Sequence, residues 1–89
     1  MKPHAIVDDS LHAEAALASL LIIRYHDDSY ELRYNTNDGR TPLAVSLVRY
    51  DKMVWRITNG SYAGYPTLEQ ALREGIRISI EMLALLQRR

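Results

Sequence analysis

His26-Asp27-Asp28 is the densest set of ligand-type side chains in this sequence, yet three consecutive residues on a turn cannot all converge on one ion. A transition-metal site needs three or four N, O or S ligands meeting in space. The other two histidines, His4 and His12, fall in the N-terminal stretch and near the head of the first expected helix. No metal site and no cofactor are therefore expected. The chain has no Cys, so it has no thiolate nucleophile. Its serines (Ser10, Ser19, Ser29, Ser46, Ser61 and Ser79) occupy no G-x-S-x-G turn. The carboxylate pairs Asp8-Asp9 and Asp27-Asp28 read as helix caps and turns, outside any apolar pocket that would raise a pKa for acid–base work. Gly60 and Gly64 lack the Lys-Ser/Thr pair of a phosphate loop. The expectation is a protein with no catalytic residues.

Arginine and tyrosine carry the remaining chemistry. Arg33, Arg49 and Arg56 fall on or near expected strands, Tyr50 beside them, and Tyr62 and Tyr65 on one long loop. Arg forms bidentate contacts to phosphate and stacks on bases, and aromatic side chains can serve as stacking platforms. The three Arg residues are the candidate nucleic-acid contacts, and Tyr50, Tyr62 and Tyr65 the candidate contacts to a protein partner. Net charge is zero, with 11 basic and 11 acidic residues, so long-range attraction to phosphate is absent. Pairing of Arg with Glu31 and Asp51 would silence the same side chains.

These residues need a scaffold, and 89 residues suffice for one domain spanning 1–89. Asp9 or Ser10 can cap a first helix, L-H-A-E-A-A-L-A-S-L-L, expected to run to about Tyr25. Leu21–His26 gains β-branched residues, so strand remains the alternative there. Tyr30, Leu32 and Tyr34 then alternate with polar residues as in a half-buried strand. Asn37-Asp38-Gly39 turns the chain. Leu43, Val45 and Leu47 mark the inward face of a second strand, and Met53, Trp55 and Ile57 that of a third. Ala44, Ser46, Val48 and Tyr50, on the second strand's other side, suggest a surface covered by the first helix or by another subunit. The architecture expected is α+β: a three-stranded antiparallel meander flanked by an N-terminal and a C-terminal helix.

Thr67 and Gln70 form a capping box for the last helix. At about 100° per residue, Gln70, Glu74, Arg77, Glu81 and Arg88 share one narrow polar stripe. From Ile76 onward the rest is nearly apolar, more than a small sheet can cover. A homodimer through Ile76, Ile80, Leu83 and Leu86 of this helix, through the outer face of the second strand, or through both is expected, since small domains without disulfides use oligomerisation to complete a core. The N-terminus lacks a basic region leading into an apolar run, and Leu11–Ile23 is too short and too polar for a membrane span. A cytoplasmic protein without membrane contact is expected.

The segment Y-P-T-L-E-Q-A-L-R-E-G-I-R-I-S-I-E-M-L-A-L-L resembles HicB-type antitoxins where their strand-rich half gives way to a helix. Thr67, Leu68, Glu69, Ala71 and Leu72 carry the likeness. The resemblance implies a small dimeric regulator that binds a partner protein or an operator. Together these observations predict a non-enzymatic regulator of one of two kinds. One is a dimeric transcription factor on double-stranded DNA; the other is a protein-interaction module such as an antitoxin or host-factor inhibitor.

Overall fold

The first helix is shorter than its composition suggests. In the computed structural model, which describes residues 8–51, 54–57 and 64–87 (of Tyr50, Asp51, Val54 and Gln87 the backbone alone), α1 spans Asp9–Leu17. Its cap position is Asp8 rather than Asp9 or Ser10, and the Asp8 carbonyl accepts from the amides of Leu11 and His12. The helix does not continue to Tyr25. Ser19 takes a left-handed backbone, φ 59°, and its amide and that of Ala18 bond back to the carbonyls of Ala16 and Ala15. Such a residue ends a helix in the manner of a C-terminal Gly. No Gly marks the spot in the sequence.

Beyond Ser19 the chain enters strand β1, Leu20–His26, paired antiparallel with β2, Ser29–Tyr34. Strands β3, Leu43–Asp51, and β4, Val54–Ile57, complete an antiparallel sheet of order β1-β2-β3-β4. Among the described residues the sheet thus has four strands where the sequence predicted three. Ile22 and Ile23 are stiff at χ1 and favour a pleated surface, and β2 offers a ladder to join. Between β2 and β3 the chain loops through Asn35–Pro42, with Gly39 at φ 76°. The Asp38 carboxylate anchors this loop by accepting from the Thr36 hydroxyl (2.6 Å) and the Arg40 amide (3.1 Å). Those bonds, the hydroxyl's first, hold the Asp38 pKa below its ordinary value.

Helix α2, Leu68–Gln87, begins where the Thr67 hydroxyl accepts from the Gln70 amide at 3.1 Å. Both helices lie on one face of the sheet. Leu11 and Ala15 from α1 and Leu68, Ala71, Leu72 and Ile76 from α2 share one core with Leu20, Tyr30, Leu32, Val45, Leu47, Trp55 and Ile57. Gly75 lets α2 approach closely: a Cβ there would lie 2.8 Å from Leu32 Cδ1 and 3.3 Å from Val45 Cγ2. Tyr30 and Trp55 meet edge to face at 5.6 Å. One turn after Gly75, the buried Ser79 hydroxyl donates to the Gly75 carbonyl, and the Tyr34 hydroxyl donates to that of Ser79.

Candidate functional site

Among the described residues, the opposite face of the sheet carries no helix. Strand register assigns Leu21 and Ile23 of β1, Glu31 and Arg33 of β2, Ser46 and Val48 of β3 and Arg56 of β4 to that outer face. A bulge between Leu32 and Arg33 adds Leu43 to it, because Leu32 pairs with Val45 while Arg33 pairs with Leu43. The bulge inverts the alternation that the sequence implies for β3. Val45 and Leu47 point into the core as expected, but Leu43 points outward and is 47% exposed. Ala44, the extra residue, is buried within the chain itself. It therefore gives no sign of a covering subunit.

Arg33 sits near the middle of this face. Its Nε donates to Glu31 Oε1 at 2.7 Å and its NH1 to the Thr41 carbonyl at 2.9 Å. The bond to Glu31, followed by one to the Tyr25 hydroxyl, raises the arginine's pKa further. Tyr25 is 53% exposed. The surface is therefore a row of half-covered aliphatic side chains, with one tyrosine and an arginine held in place by a carboxylate and a carbonyl.

The three arginines expected to act together are divided between faces. Arg33 and Arg56 share the outer face. Arg49 pairs with Trp55, so it lies on the helix-bearing face at the end of the core. There its guanidinium stacks over the Trp55 ring at 5.9 Å and forms an ion pair with Asp28. Of the tyrosines, Tyr65 is half-buried and forms an isolated antiparallel bridge with Trp55, with N–H···O bonds of 2.8 Å in both directions. Its backbone closes the free side of β4. The Tyr50 side chain, Tyr62 and Met53 lie outside the described residues.

The expected dimer residues on α2 also separate. Ile76 belongs to the chain's own core, Leu83 is half-buried, and Ile80 and Leu86 are exposed. The reason is length. Twenty helical residues span about 30 Å, whereas the six residues of β2 span about 20 Å. The buried stripe of α2 therefore runs off the sheet: Leu86, five turns beyond Leu68 on the same line, is 60% exposed. From Glu69 to Glu81 the solvent side of α2 is mostly charged and self-satisfied, whereas beyond it Ala84, Leu85 and Leu86 are exposed. Arg77 bridges Glu74 and Glu81, lowering the Glu74 pKa, and Arg73 bonds Glu14 of α1 at 2.5 Å. A shallow, open depression of about 540 Å³ lined by Tyr65, Pro66, Gln70, Arg73, Glu74 and Arg77 lies along this side. Its two cations are already paired.

Sequence reasoning missed Leu21, Ile23, Tyr25 and Leu43 as surface residues. Helix preference hid the first three, and the bulge hid the fourth. The β-branched content of Ile22-Ile23 was the available signal for the first group; nothing in the sequence announces the bulge. Among the described residues no cluster of three or more His, Cys, Asp or Glu side chains forms. No helix among them is long and apolar enough to cross a membrane. The described residues define a two-layer α+β fold whose helices lie on one sheet face. No family model matches the chain, and no curated protein or solved structure matches it.

Proposed function

We propose that this chain is a small non-enzymatic regulatory protein that works by binding a protein partner through the open face of its sheet. One observation carries the reading: both helices cover the same side, leaving Leu21, Ile23, Tyr25, Leu43 and Val48 together on the other. Protein-binding surfaces favour an aromatic and aliphatic centre with a few fixed polar groups, and Arg33, oriented by Glu31 and Thr41, supplies such a group. A protein partner is also among the expectations raised by the resemblance to HicB-type antitoxins.

The DNA-binding reading stands second. In its favour, Arg33 and Arg56 share one face, and two-fold symmetry would repeat them. Against it, Arg33 is engaged by Glu31, Arg49 lies on the far side with Asp28, and net charge is zero. Counterion release needs several cations free to meet phosphates.

Affinity purification of the wild-type chain against a Tyr25→Ala/Leu43→Lys double variant tests the reading. A stoichiometric protein partner that is lost from the variant supports it. Retention of that partner by the double variant, with loss on Leu86→Lys instead, moves the site to the end of α2. Retention of duplex DNA at moderate salt, abolished by Arg33→Ala, favours the operator reading.

A further inference from the structure

The two edges of the sheet are finished differently. On β4, Tyr65 pairs with Trp55 and occupies the outward side. On β1, the Asn35 amide donates to the Ser19 carbonyl, and that bond sets the ladder's phase. Residues 21 and 23 bond inward to Arg33 and Glu31, whereas the N–H and C=O groups of Leu20, Ile22 and Arg24 point away from β2. Among the described residues, no strand lies on that side. The edge reads Leu20-Leu21-Ile22-Ile23-Arg24: four apolar residues without Pro, Gly or charge, and only at the end the Arg24 cation and a bulge between Arg24 and His26. Natural edges ordinarily carry such devices because open backbone templates pairing.

We propose that the β1 edge binds the β1 edge of a second copy of this chain, antiparallel about a two-fold axis, so that two sheets join into one. A second copy is the occupant because the edge is self-complementary. With the axis at Ile23, Ile22 and Arg24 exchange backbone bonds with Arg24 and Ile22 of the other copy. Ile23 then faces its own equivalent, and Tyr25 lies across Leu21 of the other copy, covering a ring that is half-exposed in the single chain. Aromatic–aliphatic and aliphatic cross-strand pairs are favourable on a sheet surface.

The helix above β1 supplies an independent reason. Helix α1 packs on β1; its exposed residues are polar at the start (Asp9, Ser10 and His12) and apolar toward the end (Ala13, Ala16 and Leu17), with Leu17 89% exposed. A large aliphatic side chain left this open at the end of a helix is surface that association can cover. Joining the β1 edges brings two α1 helices side by side over the seam. A strand edge alone falls short of the ~800 Å² per partner usual for a stable interface, and the α1 flanks add to it. The join differs from the α2 dimer expected from sequence, and it holds whichever partner the outer face takes.

The chain has no Cys, so a single introduced thiol reports cleanly. Paired positions without mutual backbone bonds bring Cβ atoms close enough for a disulfide. Ile23→Cys is expected to form a covalent dimer under air oxidation, while Arg40→Cys, on the exposed loop, stays largely uncrosslinked. Sedimentation of the wild type should show a dimer. Arg24→Pro, which removes one outward N–H and no inward bond, should sediment as a monomer with an unchanged circular dichroism spectrum. A wild type that stays monomeric when concentrated overturns the proposal. So does a dimer that Leu86→Lys dissociates while Ile23→Cys fails to crosslink. Should Arg24→Pro fail to fold, the wild-type state and the Ile23→Cys crosslink decide the matter.

Discussion

The sheet's two faces differ in how completely the chain has finished them. On the inner face Leu32, Val45 and Leu47 are fully buried, and Gly75 brings α2 into contact with all three. On the outer face the aliphatic residues shelter one another only in part, and Leu43 and Tyr25 remain about half exposed. The inner face holds the fold together; the outer face contributes little to that task. The sequence spends Leu, Ile and Tyr there all the same, and this is the strongest reason to read that face as a binding surface.

The contrast can be broken most sharply by paired truncations. Leu72→Ala removes a fully buried side chain and should cost about 2–5 kcal/mol in urea unfolding. Leu43→Ala on the outer face should cost less than about 1 kcal/mol. Equal losses would mean that the two faces are not distinct in the free protein. Gly75→Ala comes next. Its added methyl would overlap Leu32 Cδ1, and an overpacked core position loses about 1–3 kcal/mol.

A pH series sharpens the comparison further. Burial raises the pKa of both Tyr30 and Tyr34 above the ordinary value of 10.0. The fold therefore favours the neutral phenols. Their contribution is complete below pH 10.0 and is lost as pH climbs through the raised folded values. Urea midpoints should fall above that pH. Tyr34→Phe should flatten the fall while costing about 1 kcal/mol at neutral pH through the lost bond to Ser79. The smallest effect is expected at Ser19, where Gly would relieve the left-handed backbone and add about 0.5 kcal/mol. A destabilised Ser19→Gly would contradict the stated reason for the helix stop.

Much of the scaffold was legible from local pattern. The alternation of Tyr30, Leu32 and Tyr34 identified the inner face of β2, and Thr67 identified the start of α2. The end of α1 was not legible, because Ala- and Leu-rich composition favours helix and the stop is a non-Gly residue at positive φ. That error removed a strand and concealed Leu21, Ile23 and Tyr25. The separation of Arg49 from Arg33 depends on how strands align, and the bulge at Leu32–Arg33 shifts that alignment with no composition cue. On α2 the excess of apolar residues was visible, but Ile76 is consumed by the core while Leu86 is not. Helix length set against strand length, a tertiary quantity, decides which is which.

Hydrogen exchange along β1, measured residue by residue in dilute and concentrated solution, tests most directly the claim that this side of the sheet is left open for association. The amides of Leu21 and Ile23, bonded into β2, should exchange slowly at every concentration. Those of Ile22 and Arg24 should exchange fast when dilute and slow when concentrated. Slow exchange at Ile22 and Arg24 in dilute solution would mean that the single chain already closes this edge; fast exchange at every concentration would mean that nothing docks there.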